Sequence, residues 1–170
     1  LVYQSEKQTD VDETFQFLKN ATQFCMRYGD IVLVNRIMKR TKDIMEEPSI
    51  KESGKNYFRM LSQYLGHEEI TGYLAETLDS SLEIDANVYE EFVGFLDKNA
   101  IQPLIKYLAE LKTIRARKHV IDALIILGRK DIQMIAKGLD DQRWYLVRNI
   151  IYILRKIADK RSTEYLLRTV

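Results

Sequence analysis

The sequence has little of the residues that build disulfides, tight turns and membrane spans. Its 170 residues include one cysteine, two prolines and seven glycines. One thiol cannot form an internal disulfide, so nothing indicates an oxidising compartment. So few turn-forming residues exclude a many-stranded sandwich or barrel and favour long helices. No run approaches the roughly 18 apolar residues of a membrane span. No signal-peptide pattern occurs either, so we expect a cytoplasmic protein that does not bind membranes.

Charged residues are abundant and unevenly distributed. Residues 1–112 hold 13 Lys and Arg against 19 Asp and Glu, whereas residues 113–170 hold 13 against 6. Such a split indicates either a basic binding surface at one end of the molecule or two halves that simply neutralise each other.

An apolar pattern recurs about every 31 residues. Two of its columns are Leu65, Leu96, Leu127 and Ile70, Ile101, Ile132. Within a unit the spacing is helical, since Ile101, Leu104, Ile105 and Leu108 lie at i, i+3, i+4 and i+7. Each unit is therefore predicted to be a helix, a tight turn and a second helix.

We predict an all-α protein, an α-α superhelix of about five antiparallel helix hairpins in one domain over 1–170. The predicted hairpins span roughly 10–47, 53–80, 86–112, 113–140 and 142–170. The segment Ile31–Val34 is rich in β-formers and argues most against a helix. A hairpin buries its apolar face only against neighbours, and the chain ends on apolar Leu167 and Val170. We therefore expect further repeats of a longer protein, or a partner, to cover that end.

Turn and cap residues agree with these bounds. Gly66 and Gly128 suit the left-handed backbone conformation that ends a helix. The predicted helix N-caps are Asn87, with Glu90 three residues on, Asp131 and Ser162.

The segment 141–159, DQRWYLVRNIIYILRKIAD, resembles the HEAT-like repeats of bacterial proteins, including the phycobilisome-lyase-type repeats. In that family an Asp turn, Val-Arg and Leu-Gly-x-Ile-Gly-Asp follow one another; here Arg155 and Ala158 replace the glycines. Arg117–Gly128 fits as well. The resemblance covers about residues 86–170, is weaker over 53–85 and is only architectural before that. It implies a superhelix that binds proteins, with no cofactor and no chemistry of its own, and it does not imply bilin binding.

Motifs for catalysis or metal binding are missing. The two histidines, His67 and His119, are far apart and lack the spacing of zinc ligands. Cys25 lies between apolar residues, which predicts a buried, inert thiol. No phosphate-binding loop and no nucleophile motif occurs, so we assign no catalytic and no metal-binding residue.

The repeat register places basic residues in columns. Lys106, Lys137 and Arg168 are equivalent, and Gln102 and Gln133 form the neighbouring column. In HEAT-type stacks the second helices line the concave face about 10 Å apart, which predicts a basic ladder. A second basic column lies at the turns: Lys98, Arg129, Lys130, Lys160 and Arg161. Two interpretations are open. Either the columns bind an acidic protein segment or the phosphates of a nucleic acid, or they are ordinary helix faces exposed to solvent.

Trp144, the only tryptophan, stands beside Arg143, Tyr145 and Arg148. It either packs against the preceding unit or forms an exposed aromatic–arginine hot spot, the composition that interfaces favour.

Three classes of function remain open. The first is a non-catalytic interaction module whose basic concave face binds a protein or peptide, an acidic one where the ladder is used. The second is nucleic-acid binding. It includes the HEAT-like alkylpurine DNA glycosylases, to which Trp144, Asp141 and Arg148 are similar in residue type, although the first half is acidic and no aromatic-rich cleft is evident. The third is an enzyme or chromophore lyase of another kind, for which no substrate is specified.

Overall fold

The computed structural model describes residues 8–48, 52–80 and 83–167, and every regular element in these ranges is helical. The α-helices are α1 (Gln8–Arg27), α2 (Ile31–Met45), α3 (Glu52–Leu65), α4 (Glu68–Asp79), α5 (Ala86–Phe95), α6 (Ile101–Leu108), α7 (Ile114–Gly128), α8 (Ile132–Ala136), α9 (Trp144–Ile157) and α10 (Lys160–Leu167). Two short 3-10 turns, Lys98–Ala100 and Lys137–Asp140, precede α6 and follow α8. The predicted all-α class is confirmed.

The β-rich segment after Gly29 forms the first turn of α2. Gly29 adopts a left-handed φ of 72°, which reverses the chain after α1. The Asp30 carboxylate then accepts a hydrogen bond from the Leu33 amide at 2.9 Å and caps the new helix. Ile31 and Val34 are buried, so cap and burial together outweigh the strand preference of this segment.

The prediction that Gly66 and Gly128 adopt left-handed backbone is wrong, because Gly29 and Ala158 are the described residues with positive φ. Both glycines instead permit close approach. A Cβ on Gly66 would lie 2.9 Å from the backbone nitrogen of Ala100, and one on Gly128 would lie 2.8 Å from Ile135 Cγ1. Glycine is needed here for close packing and not for a turn: Gly66 packs against the next hairpin, and Gly128 packs against α8 of its own hairpin.

Two of the predicted caps are also wrong. Asp85, not Asn87, caps α5, accepting from the amides of Asn87 at 2.9 Å and Val88 at 3.2 Å. Ser162 lies inside α10 and donates its hydroxyl to the Leu154 carbonyl at 3.0 Å, so it joins α10 to α9. Asp131 caps α8 as predicted.

The helices pack in two successions. In one, α7 contacts α5 and α9; in the other, α6 contacts α4 and α8, and α8 contacts α10. The first hairpin departs from this order, since α1 contacts α4 whereas α2 contacts both α3 and α5. Buried apolar side chains from Cys25 in α1 to Leu154 in α9 form one continuous core.

Polar side chains join the second, third and fourth hairpins to one another. They satisfy backbone groups that a helix end leaves free. The bonds run from Asn99 Nδ2 to the Gln63 carbonyl (2.7 Å), from Lys130 Nζ to the Leu96 carbonyl (2.9 Å), and from the amides of Lys112 and Thr113 to the Asp79 carboxylate (both 2.8 Å). Their partners lie 33 to 36 residues apart, close to the period of the apolar pattern.

Candidate functional site

The basic column of second-helix residues is only partly free. Lys106 is exposed on α6, and its ammonium forms an ion pair with Glu68 at the start of α4. The hydrogen bond and the charge of Glu68 raise the pKa of Lys106. The same ammonium lies 5.9 Å from the centroid of the Tyr107 ring. One cation of the predicted ladder is therefore already paired within the chain.

The other members of the ladder differ in their surroundings. Gln102 donates through Nε2 to the Met134 carbonyl at 2.7 Å and so joins α6 to α8. Gln133 and Lys137 are exposed, and the described parts of the chain give Lys137 no carboxylate partner. Arg168 lies outside the described residues. The ladder is thus represented by one paired and one unpaired lysine.

Most basic residues at the turns have structural partners. Lys98 pairs with Asp131 at 3.3 Å, and the Lys130 ammonium holds a carbonyl at the end of α5. Arg161 makes two hydrogen bonds to the Asp159 carboxylate, at 3.0 Å through Nε and 2.8 Å through Nη2. Lys98 and Lys130 thus join helices, and Arg161 is held within its own turn.

Arg143 is held by its own turn. Its Nε and Nη2 donate to the two carboxylate oxygens of Asp141, each at 2.8 Å, and its amide donates to Oδ1 at 2.9 Å. These bonds lower the pKa of Asp141 to about 2. Fork-to-carboxylate pairing of this kind fixes geometry, so Arg143 orients the start of α9 and is less available to a partner than predicted.

Trp144 is exposed, which contradicts the interpretation that it packs against the preceding unit. Its side chain is 71% exposed, on the first turn of α9. The Arg148 guanidinium lies 5.4 Å from the centroid of the indole, and the Tyr145 ring meets it edge-on at 6.2 Å. An indole exposed beside an arginine has the composition of the predicted hot spot, which stays a prediction.

The outer face of α9 continues this arrangement. Tyr152 is exposed, the Lys156 ammonium lies 5.6 Å from the centroid of its ring, and Arg155 is exposed beside them. Helix α9 contains no Asp or Glu. We call this surface the α9 stripe; its members are Trp144, Arg148, Tyr152, Arg155 and Lys156.

Sequence reasoning missed Tyr152, Arg155 and Lys156. The available signal was their helical spacing from Trp144 and Arg148, on the side opposite buried Leu146, Ile150 and Ile153. The repeat columns drew attention to the second helices, whereas this surface lies on a first helix.

The Cys25 thiol and the His119 ring both lie in structural surroundings. Burial, with the charge of Asp30 adding to it, raises the pKa of the Cys25 thiol, so this cysteine is not an activated nucleophile. The His119 ring shares a hydrogen bond with the Arg115 carbonyl at 2.9 Å and packs edge-on against Tyr89. Among the described residues no group of His, Cys, Asp and Glu is arranged to hold a metal ion.

A groove of about 440 Å³ lies between α5 and α7. Its floor includes Val93 and Ala123, and Tyr89 donates its buried hydroxyl to the His119 carbonyl at 2.9 Å. Burial, with the charge of Asp122 adding to it, raises the pKa of that hydroxyl far above its usual range. The phenol is therefore neutral and acts as a structural donor.

No helix in the described ranges combines the length and the apolar character that crossing a bilayer requires. Comparison of the chain with protein families, with curated proteins and with solved structures finds no match.

Proposed function

We propose that the chain is a HEAT-like helical-repeat module that binds other proteins and carries no catalytic centre of its own. Two features support the repeat assignment. From α4 to α10, first and second helices contact their counterparts in the next hairpin, and four polar bonds between hairpins have separations of 33 to 36 residues. Solenoids present such long repetitive surfaces to partners.

The proposed partner is an acidic protein segment, and the α9 stripe is its proposed binding surface. The observation that carries this choice is Trp144, an indole 71% exposed beside Arg148 on a helix without acidic residues. Interface hot spots are enriched in Trp, Tyr and Arg. The stripe supplies two aromatic rings and three cations that have no carboxylate partner among the described residues. Lys106 in the ladder, by contrast, already pairs with Glu68.

A comparative pull-down tests this proposal, with the purified chain as bait. The stripe variant R148E/R155E is compared with a ladder variant of equal charge change, K106E/K137E. We expect specific partners to be retained by wild type and by the ladder variant, and lost by the stripe variant. Loss from the ladder variant alone would return the binding surface to the second helices. Equal recovery by all three proteins would contradict both surfaces.

Binding of single-stranded nucleic acid is the second candidate, because the stripe alternates aromatic rings with cations, as base-stacking surfaces do. The comparison with DNA glycosylases gains less support, since the Asp141 carboxylate is occupied by Arg143. A labelled oligonucleotide titrated at low and high salt separates the two functions. Affinity that falls with salt and is lost in W144A would favour nucleic acid, whereas no binding at low salt would remove this candidate.

A further inference from the structure

An open groove runs between α1 and α2, far along the chain from the α9 stripe. It measures about 340 Å³, and its apolar walls include Leu18 from α1 and Ile37, Ile44 and Met45 from α2. Leu18, Ile37 and Ile44 are half-buried, so each keeps part of its apolar surface in contact with water. On α1, Phe17 beside Leu18 is 70% exposed.

Arg36 and Arg40 line the same groove and are exposed. The described parts of the chain provide neither of them with a carboxylate or carbonyl partner, in contrast to the paired Arg143 and Arg161. They lie four residues apart on α2, which places them about 6 Å apart along the helix axis. Two unpaired cations at this spacing beside an apolar groove complement two carboxylates one helical turn apart.

We propose that the α1–α2 groove binds an amphipathic helix of a partner protein, with its apolar face in the groove and acidic residues at i and i+4 against Arg36 and Arg40. A helix suits this position better than an extended peptide, because α1 and α2 use their backbone groups internally and offer no sheet edge. It also suits it better than a small amphiphile, which binds where a cavity encloses most of its surface.

The test uses a synthetic helical peptide labelled for fluorescence anisotropy. Its apolar face carries three Leu residues at helical spacing, and two Glu residues four positions apart lie beside that face. We expect the variant R36E/R40E to weaken its binding at least about tenfold, because two exposed attractions become repulsions. The matched control R59E/R129E changes charge equally on two exposed residues, one in α3 and one in the turn after α7, and should bind like wild type.

Three results would overturn the inference. The first is an unchanged affinity in R36E/R40E. The second is equal binding of a peptide with Gln in place of the two Glu residues. The third is stoichiometric binding of dodecanoate with no binding of the peptide, which would make the groove a site for small amphiphiles. The variant I44S checks the apolar wall, and it should weaken peptide binding while urea unfolding shows that the protein remains folded.

Discussion

Asp141 precedes α9 and Asp159 precedes α10. Each carboxylate accepts hydrogen bonds from the guanidinium and the backbone amide of the arginine two positions later. In both turns the arginine lowers the pKa of the carboxyl to about 2. The same short-range device thus orients two successive helices. This pairing also makes the stability of the protein depend on pH in the acidic range.

The variant D141N should remove part of this acid dependence. The folded pKa of Asp141 lies below its unfolded value near 4. Its contribution is therefore complete above about pH 4 and is lost as the pH falls towards 2. We expect a loss of about 0.5 to 1 kcal/mol at pH 7, since the pair is partly exposed, and little loss near pH 2. Urea unfolding of wild type and D141N at both pH values measures the loss of stability. The neighbouring variant D140N is the control, and equal losses at both pH values would contradict the linkage.

Glycine substitutions test the close approach of successive hairpins. The variant G66A should destabilise the protein by about 1 to 3 kcal/mol, because its Cβ would collide with Asn99 and with the backbone nitrogen of Ala100. The variant G94A should instead stabilise it by about 0.5 to 1 kcal/mol, since a Cβ there meets nothing within 4 Å. Thermal unfolding of both variants decides, and a stable G66A would show that the hairpins are not closely apposed at this point.

At the scale of secondary-structure elements, the residues just before α7 are held by a carboxylate of an earlier helix, while Thr113 itself caps α7. Asp79 at the end of α4 accepts the amides of Lys112 and Thr113, each at 2.8 Å, and Arg115 donates to the Ser80 carbonyl. Burial alone would raise the pKa of Asp79, but these backbone donors lower it. One carboxylate at the end of α4 therefore positions the start of α7.

The variant D79A should cost about 1 to 2 kcal/mol, because two amides lose a charged acceptor. Hydrogen exchange should accelerate at the amides of Lys112 and Thr113 before it does within α7. The control E83A removes an exposed carboxylate nearby in the sequence and should leave both measurements unchanged. Unchanged exchange at Lys112 in D79A would show that Asp79 does not hold the start of α7.

Helices are the level at which the sequence was most informative. Apolar residues at i, i+3, i+4 and i+7 predict helix and burial together, and Ile101, Leu104 and Leu108 are all buried. Contacts between distant residues left no local signal. Nothing beside Lys106 indicates that Glu68, 38 positions earlier, neutralises it. Likewise, only the approach of Asn99 reveals why position 66 is glycine.

Burial varies along the whole molecule, and local stability should vary with it. Val120, Ala123 and Leu124 in α7 are fully buried, whereas Ser162 is the buried residue of α10. Exchange protection rises with buried apolar contacts and is lowest in elements that lack them. We expect amides in the centre of α7 to exchange last and those of α10 to exchange first. Native-state hydrogen exchange measures this order, and equal protection of α10 and α7 would contradict it.

The short range of the contacts between helices along the chain has a consequence for biosynthesis. Among the described helices, substantial contacts join elements no more than three helices apart along the chain. Each new hairpin therefore meets a docking surface made by residues that left the ribosome shortly before it. The protein can therefore fold progressively during translation, each hairpin packing on the one made before it. Because such local contacts have a low entropy cost of loop closure, they also favour rapid folding.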